Sequence, residues 1–296
     1  MTATAKPPKF AVTEEEFETL LHRYTRDLRE LDRKGRFDPV TGRDEELEQM
    51  TLILLQRLRK NVLLLGGAGV GKTALFVGLA QWIEQNRVPA MLKDARLIEL
   101  DMSMIGAGSQ NRADLEGRLI PIVKAAAERN AARQGPPILF AVDEFHQLMT
   151  GFKGSSYAGI ADLLKPYLTA GNLYIIAATT REEYEDYIRI EPALDRRFQK
   201  IMLGEPGLAT TLSILINIKD NFEQHYGLAI SKETCERVVK LTDRYVRGRS
   251  NPDKSIIVLD QACARAVKQG VTGALDGASV AAAVASEAGI DARAVK

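Results

Sequence analysis

The spacing of apolar positions changes twice along the chain and divides it into three stretches. In TEEEFETLLHRYTRDLRELDRKG, residues Phe17, Leu20, Leu21, Tyr24, Leu28 and Leu31 recur at helical spacing and form one apolar stripe. Thr13 is placed to cap this helix, Glu14 to Glu16 suit its positive end, and Gly35 closes it. Residues 1–11 read as a short disordered leader. A compact loop, FDPVTGR, precedes a second helix over about 44–58. Apolar runs then alternate with helical patterns. Strands are expected at 62–65, 96–101, 138–142, 172–178 and 198–203, with helices at 74–86, 114–134, 157–169 and 181–188. Such alternation predicts an α/β domain whose parallel sheet is covered by helices on both faces. At Gly204-Glu205-Pro206-Gly207 the pattern changes again. Beyond it lie four predicted helices, 208–224, 232–246, 253–269 and 279–288, and no strong strand. The Ala-rich run at 278–285 suits close packing against a neighbouring helix. The expected division is a leader and helix over 1–35, an α/β domain over 36–205 and a small all-helical domain over 206–296.

Composition adds little to this picture but excludes several classes. The 296 residues are 45% hydrophobic and 27% charged, an ordinary balance for a soluble globular chain. A net charge of +1 offers no basis for a nucleic-acid partner or an anionic membrane. No apolar run approaches the roughly 20 residues of a membrane span, and MTATAKPPKF has no signal-peptide core. Cys235 and Cys263 lack metal-ligand spacing and read as buried thiols, which suits a reducing, cytoplasmic setting.

The chemistry is concentrated in NVLLLGGAGVGKTAL. An apolar strand runs into Gly66-Gly67-Ala68-Gly69-Val70-Gly71-Lys72-Thr73, and a helix follows from Ala74. This is the phosphate loop G-x-x-x-x-G-K-[ST] in the context it requires. Its glycines let backbone N–H groups turn toward phosphate, Lys72 can reach the β- and γ-phosphates, and the Thr73 hydroxyl can sit on Mg²⁺. In ILFAVDE, Asp143 and Glu144 end a buried strand, where ligands of an open parallel sheet bind. Asp143 is positioned to hold Mg²⁺, and Glu144 to accept the proton of an attacking water. Thr179 and Thr180 end the next strand, as turn-formers or as a hydroxyl contact to the γ-phosphate. Arg196-Arg197 open the last strand, as a solvated pair or as groups that reach a neighbouring subunit's γ-phosphate. His146, in DEFH, reads as a packed structural residue, and His22 and His225 have no recognisable partners. No metal beyond Mg²⁺ is expected.

These strings extend to a family likeness. FDPVTGRDEELEQ, GGAGVGKTALFVGLAQ, LKDARLIELDM, LFAVDEFHQL, LLKPYLTAGNLYIIAATTREEY, EPALDRRFQ and NPDKSIIVLDQACA, in order over about 21–264, resemble the first ATPase module of the Clp family of AAA+ unfoldases and disaggregases. Residues 275–289 are similar to the end of that module. The resemblance implies an AAA+ α/β domain followed by a helical lid, with ATP and Mg²⁺ as cofactors. It implies that Val40, Thr41, Gly42 and Arg43 line an adenine pocket, and that Pro252, Asp253 and Lys254 close over the nucleotide. Lys72 and Thr73 would bind phosphate and Mg²⁺, with Asp143 and Glu144 as the second acidic motif. Thr179, or else Thr180, becomes the polar sensor, and Arg196 and Arg197 become arginine fingers acting in trans within a hexameric ring. Family members usually carry an N-terminal adaptor-binding domain and often a second ATPase module; this chain has room for neither. Where the family reads Lys-Tyr-Arg-Gly in its central pore loop, this sequence reads Gln110-Asn111-Arg112-Ala113. Asn111 lacks the flat apolar face of the substrate-gripping aromatic. Tyr157 in GFKGSSYAG is either a substitute or an ordinary loop or helix-start residue. The first expectation is an oligomeric Mg²⁺-dependent ATPase that remodels or disassembles a protein partner. The alternative is a nucleotide-switched scaffold within a larger complex, and a DNA-acting AAA+ loader ranks third.

Overall fold

In a computed structural model of the chain, residues 12–109, 111–133, 135–149 and 160–296 are described. The leader at 1–11, Gln110 and Tyr157 lie outside the described residues. The order begins α1 (Glu14–Tyr24), β1 (Arg26–Asp27), α2 (Leu28–Arg33), α3 (Asp44–Leu55), β2 (Asn61–Gly66), α4 (Lys72–Glu84) and β3 (Arg96–Glu99). It continues α5 (Met102–Gly106), α6 (Arg112–Ala132), β4 (Ile138–Val142), α7 (Ile160–Ala170) and β5 (Tyr174–Thr179). After α8 (Arg181–Glu183), α9 (Pro192–Asp195) and β6 (Phe198–Leu203) come α10 (Leu208–Tyr226), β7 (Leu228–Ala229) and α11 (Lys232–Tyr245). The last elements are α12 (Asp253–Lys268), β8 (Gly273–Ala274) and α13 (Gly277–Ala288). The chain divides into two units. The first takes the chain up to Arg36, Glu45–Leu65 and Leu79–Met202; the second takes Phe37–Asp44, Gly66–Gly78 and Leu203–Lys296.

In the first unit the sheet order is β1-β3-β4-β5-β2-β6. β2, β3, β4 and β5 run parallel, with Leu65 opposite Thr179, Val142 opposite Ala177 and Glu99 opposite Ala141. Their continuous apolar runs are buried on both faces, as a helix-covered parallel sheet requires. One face packs Leu63, Ile98, Phe140 and Ile175 into a core with Phe17, Leu21, Phe145 and Phe198. Removing each such side chain from water contributes about 1.5–3 kcal/mol. Two buried-edge amides align the layers. The Asn61 carbonyl accepts from Ile175 N–H at 2.8 Å and its amide donates to Arg197 O at 3.4 Å. Asn130 pairs with both the N–H and the C=O of Ile138, each at 2.9 Å, and also donates to Asn172 O.

The structure corrects the single N-terminal helix expected from Thr13 to Gly35. Thr13 does cap α1, in a reciprocal box with Glu16. Thr25 then leaves helical backbone, at φ −140 and ψ 171, and its hydroxyl donates to Leu21 O at 2.6 Å. β1 pairs antiparallel with β3, and Arg26 forms ion pairs with Asp101 and Glu99. The Asp27 carboxylate restarts the helix by accepting from the Arg29 and Glu30 N–H groups. Long-range strand pairing thus interrupts a stripe whose apolar members Phe17, Leu21 and Leu28 stay buried on both sides of the break. Residues 181–188 also depart from one regular helix, since α8 runs on as a π-helical turn, Tyr184–Ile188.

The helices α10 to α13 give the second unit its own core, in which Leu215, Val238, Leu259, Val280 and Val284 are buried. Ala283 and Ala285 let α13 pack closely on α12. Two-residue strands β7 and β8, absent from the sequence reading, pair in parallel. Burial pushes the Cys235 thiol up to about 11 and the Cys263 thiol to about 12, so both stay protonated and unreactive.

Candidate active site

In the second unit, the loop after β2 wraps the start of α4. Gly69 and Gly71 adopt φ +76 and +96, left-handed backbone open to glycine. A Cβ at Gly66 would lie 2.8 Å from Leu203 O and 2.9 Å from Val70 Cγ2, so the first loop position admits no side chain. Lys72 is buried, and its ammonium donates to Gly66 O at 3.0 Å and Gly67 O at 2.9 Å. The loop therefore places a cation and an α-helix N-terminus together, a combination that attracts phosphate. Thr73 is exposed on the first turn of α4, and Gly67 and Ala68 form the exposed tip of the loop.

Beside this loop is a cavity of about 220 Å³ with largely apolar walls. Val40, Thr41 and Arg43 line one side, Val70, Gly71 and Ala74 another, and Ile214, Pro252 and Ile256 a third. Arg43 is buried, and its guanidinium donates to Val70 O at 2.6 Å and Gly204 O at 3.0 Å, which ties the 37–44 segment to the loop. Gly42, at φ +72, would place a Cβ 2.4 Å from Thr210 Cγ2. Of the three expected lid residues, Pro252 lines the cavity and Asp253 N–H donates to Gly69 O at 3.4 Å. Lys254 is buried, 3.4 Å from Glu205 Oε1, and the same oxygen accepts from Asn251 N–H at 2.7 Å. Glu205 escaped the sequence reading because it stood in a stretch taken only as a boundary.

In the first unit, the ends of β4 and β5 carry the remaining candidates. Asp143 follows β4 directly, and its carboxylate accepts from Glu144 N–H at 2.9 Å. Glu144 has left-handed backbone, φ 49, and leads into a 3-10 turn, Phe145–Leu148. Thr179 is fully buried at the end of β5, and its hydroxyl donates to Glu183 Oε2 at 2.9 Å. Thr180 caps α8 in a box with Glu183: the Glu183 carboxylate accepts from Thr180 N–H at 2.9 Å. Burial pushes the Glu183 carboxyl up, but the donors from Thr180 and Thr179, helped by His146, outweigh it and hold it below the usual range. His146 Nδ1 lies 3.2 Å from Thr179 Oγ1, 3.1 Å from Glu183 Oε2 and 3.4 Å from Glu144 Oε2. Sequence reasoning missed this convergence, although the T-x-x-E capping box was a readable signal for Glu183. Glu144, His146 and Glu183 also offer metal-ligating atoms within 4.8 Å of one another. Glu183 Oε2 already accepts from Thr179 and Thr180, so the arrangement is a hydrogen-bond network in its own right. Arg196 is exposed and Arg197 half-buried, at the end of α9.

A phosphate loop after a strand of an α/β sheet, together with a helical unit, defines an AAA ATPase. Residues 62–206 match the ATPase family associated with various cellular activities (AAA), and residues 208–286 match the AAA lid domain. Within that class, the chain belongs to the Clp family of AAA+ modules. Chaperone protein ClpB of Rickettsia typhi is 42% identical over 245 residues, covering 83% of this chain and 28% of the relative. ClpB of Staphylococcus aureus (strain COL) is 42% identical over 244 residues, with 82% and 28% covered. A cryo-EM reconstruction of closed-state Hsp104 with ATPγS and FITC casein superposes with a TM-score of 0.84 at 32% identity, covering 94% of this chain and 47% of that one. An ADP complex of Saccharomyces cerevisiae Hsp104 gives 0.81 at 34% identity, with 91% and 45% covered. The chain thus spans about a quarter of the ClpB relatives and about half of the Hsp104 chains. Among the described residues, no helix is long and apolar enough to cross a membrane.

Proposed function

We propose that this AAA+ ATPase couples ATP hydrolysis to remodelling or disassembly of a protein partner, as one subunit of a hexameric ring. The observation that carries the reading is the phosphate loop, with left-handed Gly69 and Gly71 and a buried Lys72 at the start of α4. Family membership supports ATP as the nucleotide, and the apolar cavity beside Val40, Thr41 and Arg43 suits its base. The Thr73 hydroxyl and the Asp143 carboxylate are hard oxygen donors that would hold Mg²⁺, and the ion would supply charge neutralisation on the phosphates. Glu144 takes the proton of the attacking water as its oxygen bonds to the γ-phosphorus and the bond to the leaving oxygen breaks. Thr179 senses the γ-phosphate. Arg196 and Arg197 act across the subunit boundary; among the described residues neither guanidinium forms an ion pair. The Hsp104 structures with casein support a protein as the class of client.

A second reading, a nucleotide-switched scaffold, is favoured by one observation. Asn111 is the N-cap of α6 and accepts from Asp114 N–H at 3.1 Å, so this position holds a helix end and offers no ring to a client. Two experiments address these readings. Glu144→Gln is expected to bind ATP as wild type does and to hydrolyse it about 100-fold or more slowly. Hydrolysis at the wild-type rate would remove Glu144 from the base role. ATP-dependent unfolding of a tagged globular substrate by the wild-type protein supports the remodelling motor; nucleotide-dependent binding without unfolding supports the switch.

A further inference from the structure

Glu205 has no role in the proposed reaction, yet two separate parts of the nucleotide cavity are tied together at this point of the chain. We infer that Glu205 is a positioning residue for the nucleobase: its carboxylate holds the Asn251–Lys254 corner, and through it the wall made by Pro252 and Ile256. The inference rests on the reading of that cavity as the place of the ATP base.

The corner is built from buried polar groups. Asn251 and Lys254 are both buried, one just before α12 and one on its first turn. The Asn251 side chain is committed inward, where its Oδ1 accepts from Ser255 Oγ at 2.7 Å. Ser255 Oγ in turn lies 2.8 Å from Thr242 Oγ1 on α11, and both residues are fully buried. What remains is the Asn251 N–H, and a buried backbone donor needs an acceptor. Glu205 Oε1 supplies it at 2.7 Å. The same oxygen lies 3.4 Å from Lys254 Nζ, the one ion pair of that ammonium among the described residues. The shorter contact fixes the backbone, and the longer one neutralises the buried charge beside it.

The chain next to Glu205 is tied to the phosphate loop. Gly204 O accepts from Arg43 at 3.0 Å, and the same guanidinium nitrogen donates to Val70 O at 2.6 Å. Arg43 and Val70 line the cavity, as do Pro252 and Ile256. Glu205 thus joins cavity walls across a sequence separation of 46 residues. Its own side chain is 44% exposed, so replacing it opens no hole in the core.

Loss of the carboxylate leaves a buried N–H and a buried ammonium without their acceptor, a state both groups escape by turning toward water. The corner then shifts and takes Pro252 with it. The phosphate loop keeps its own bonds, from Lys72 to Gly66 O and Gly67 O, and its link to the corner, Asp253 N–H to Gly69 O, is long at 3.4 Å. Grip on the base is therefore lost while grip on the phosphates stays.

The test compares wild type, Glu205→Ala and Glu205→Gln for affinity to ATP and to tripolyphosphate, which carries the phosphates without base or ribose. Melting temperature is measured on each. A wild-type protein that binds ATP no more tightly than tripolyphosphate has no base site, and the reading of the cavity fails by itself. Given a base contribution, Glu205→Ala is expected to weaken ATP binding about tenfold or more and tripolyphosphate binding by no more than about twofold. In turnover the loss falls on KM, with kcat at saturating ATP lowered no more than about threefold. Glu205→Gln keeps a carbonyl oxygen for the Asn251 N–H and is expected to hold ATP affinity within about threefold of wild type. Unchanged ATP affinity in Glu205→Ala, equal weakening of ATP and tripolyphosphate, or a Gln variant as weak as the Ala variant would each overturn the positioning role. If Glu205→Ala melts below the assay temperature, Glu205→Asp, whose carboxylate falls one methylene short of the corner, provides the same comparison.

Discussion

At the scale of single residues, Gly42, between the cavity residues Thr41 and Arg43, shows how closely the 37–44 segment packs on the start of α10. Its φ of +72 and the 2.4 Å approach of a Cβ to Thr210 Cγ2 exclude any side chain without movement. Left-handed backbone on a non-glycine residue costs about 1–3 kcal/mol. Displacing Thr210 also shifts the first turn of α10, which carries the cavity residue Ile214. Gly42→Ala is therefore expected to destabilise the protein by about 1–3 kcal/mol and to weaken nucleotide binding. Thermal melting and a nucleotide titration check both, and wild-type affinity would show that Gly42 does not shape the pocket. Residues of this kind differ in how well a sequence announces them. Lys72 and Thr73 belong to a motif whose spacing is itself the chemistry, so they were readable. Glu183 and His146 were not, because their significance lies in where β4 and β5 end relative to each other, with Val142 opposite Ala177. The unread T-x-x-E spacing pairs Glu183 with Thr180; nothing local said that the same oxygen also accepts from Thr179.

At the scale of elements, the strands were legible because both faces of β2, β4 and β5 are buried and their apolar runs are unbroken. The α1–α2 break was not, since Phe17 to Leu31 keep helical spacing through it. What decides the break is β3, whose Glu99 and Ile98 pair with Arg26 and Asp27 from far along the chain. β7 and β8 escaped for a different reason: two-residue strands carry no period. Helix ends were better signalled when a side chain caps them. The start of α6 depends on Asn111, and Asn111→Ala is expected to cost about 0.5–2 kcal/mol, whereas Asn111→Asp or Asn111→Ser should stay within a few tenths. Chemical denaturation of the three variants measures this directly, and equal midpoints for Ala and wild type would deny the cap any energetic role.

At the scale of the whole molecule, the proposed ring makes a prediction that no single subunit can satisfy. Arg196→Ala subunits keep their own phosphate loop and Glu144 but give their neighbours no finger. Glu144→Gln subunits bind ATP without turning it over and still carry Arg196. Mixed together, the two inactive proteins are expected to regain turnover, because an arginine finger can be worth about 10³-fold or more in rate. Steady-state hydrolysis across mixing ratios reads this out; activity no greater than the sum of the separate proteins would exclude action in trans. The second unit has a different consequence, which follows from its assembly out of Phe37–Asp44, Gly66–Gly78 and Leu203–Lys296. The loop and one cavity wall leave the ribosome before Ile214, Pro252 and Ile256, which lie about 140 residues or more further along the chain. A nascent or truncated chain that stops before them has a phosphate loop without the opposite wall of its pocket. Nucleotide retention then reports that the chain has been made through Ile256, the last residue of that wall.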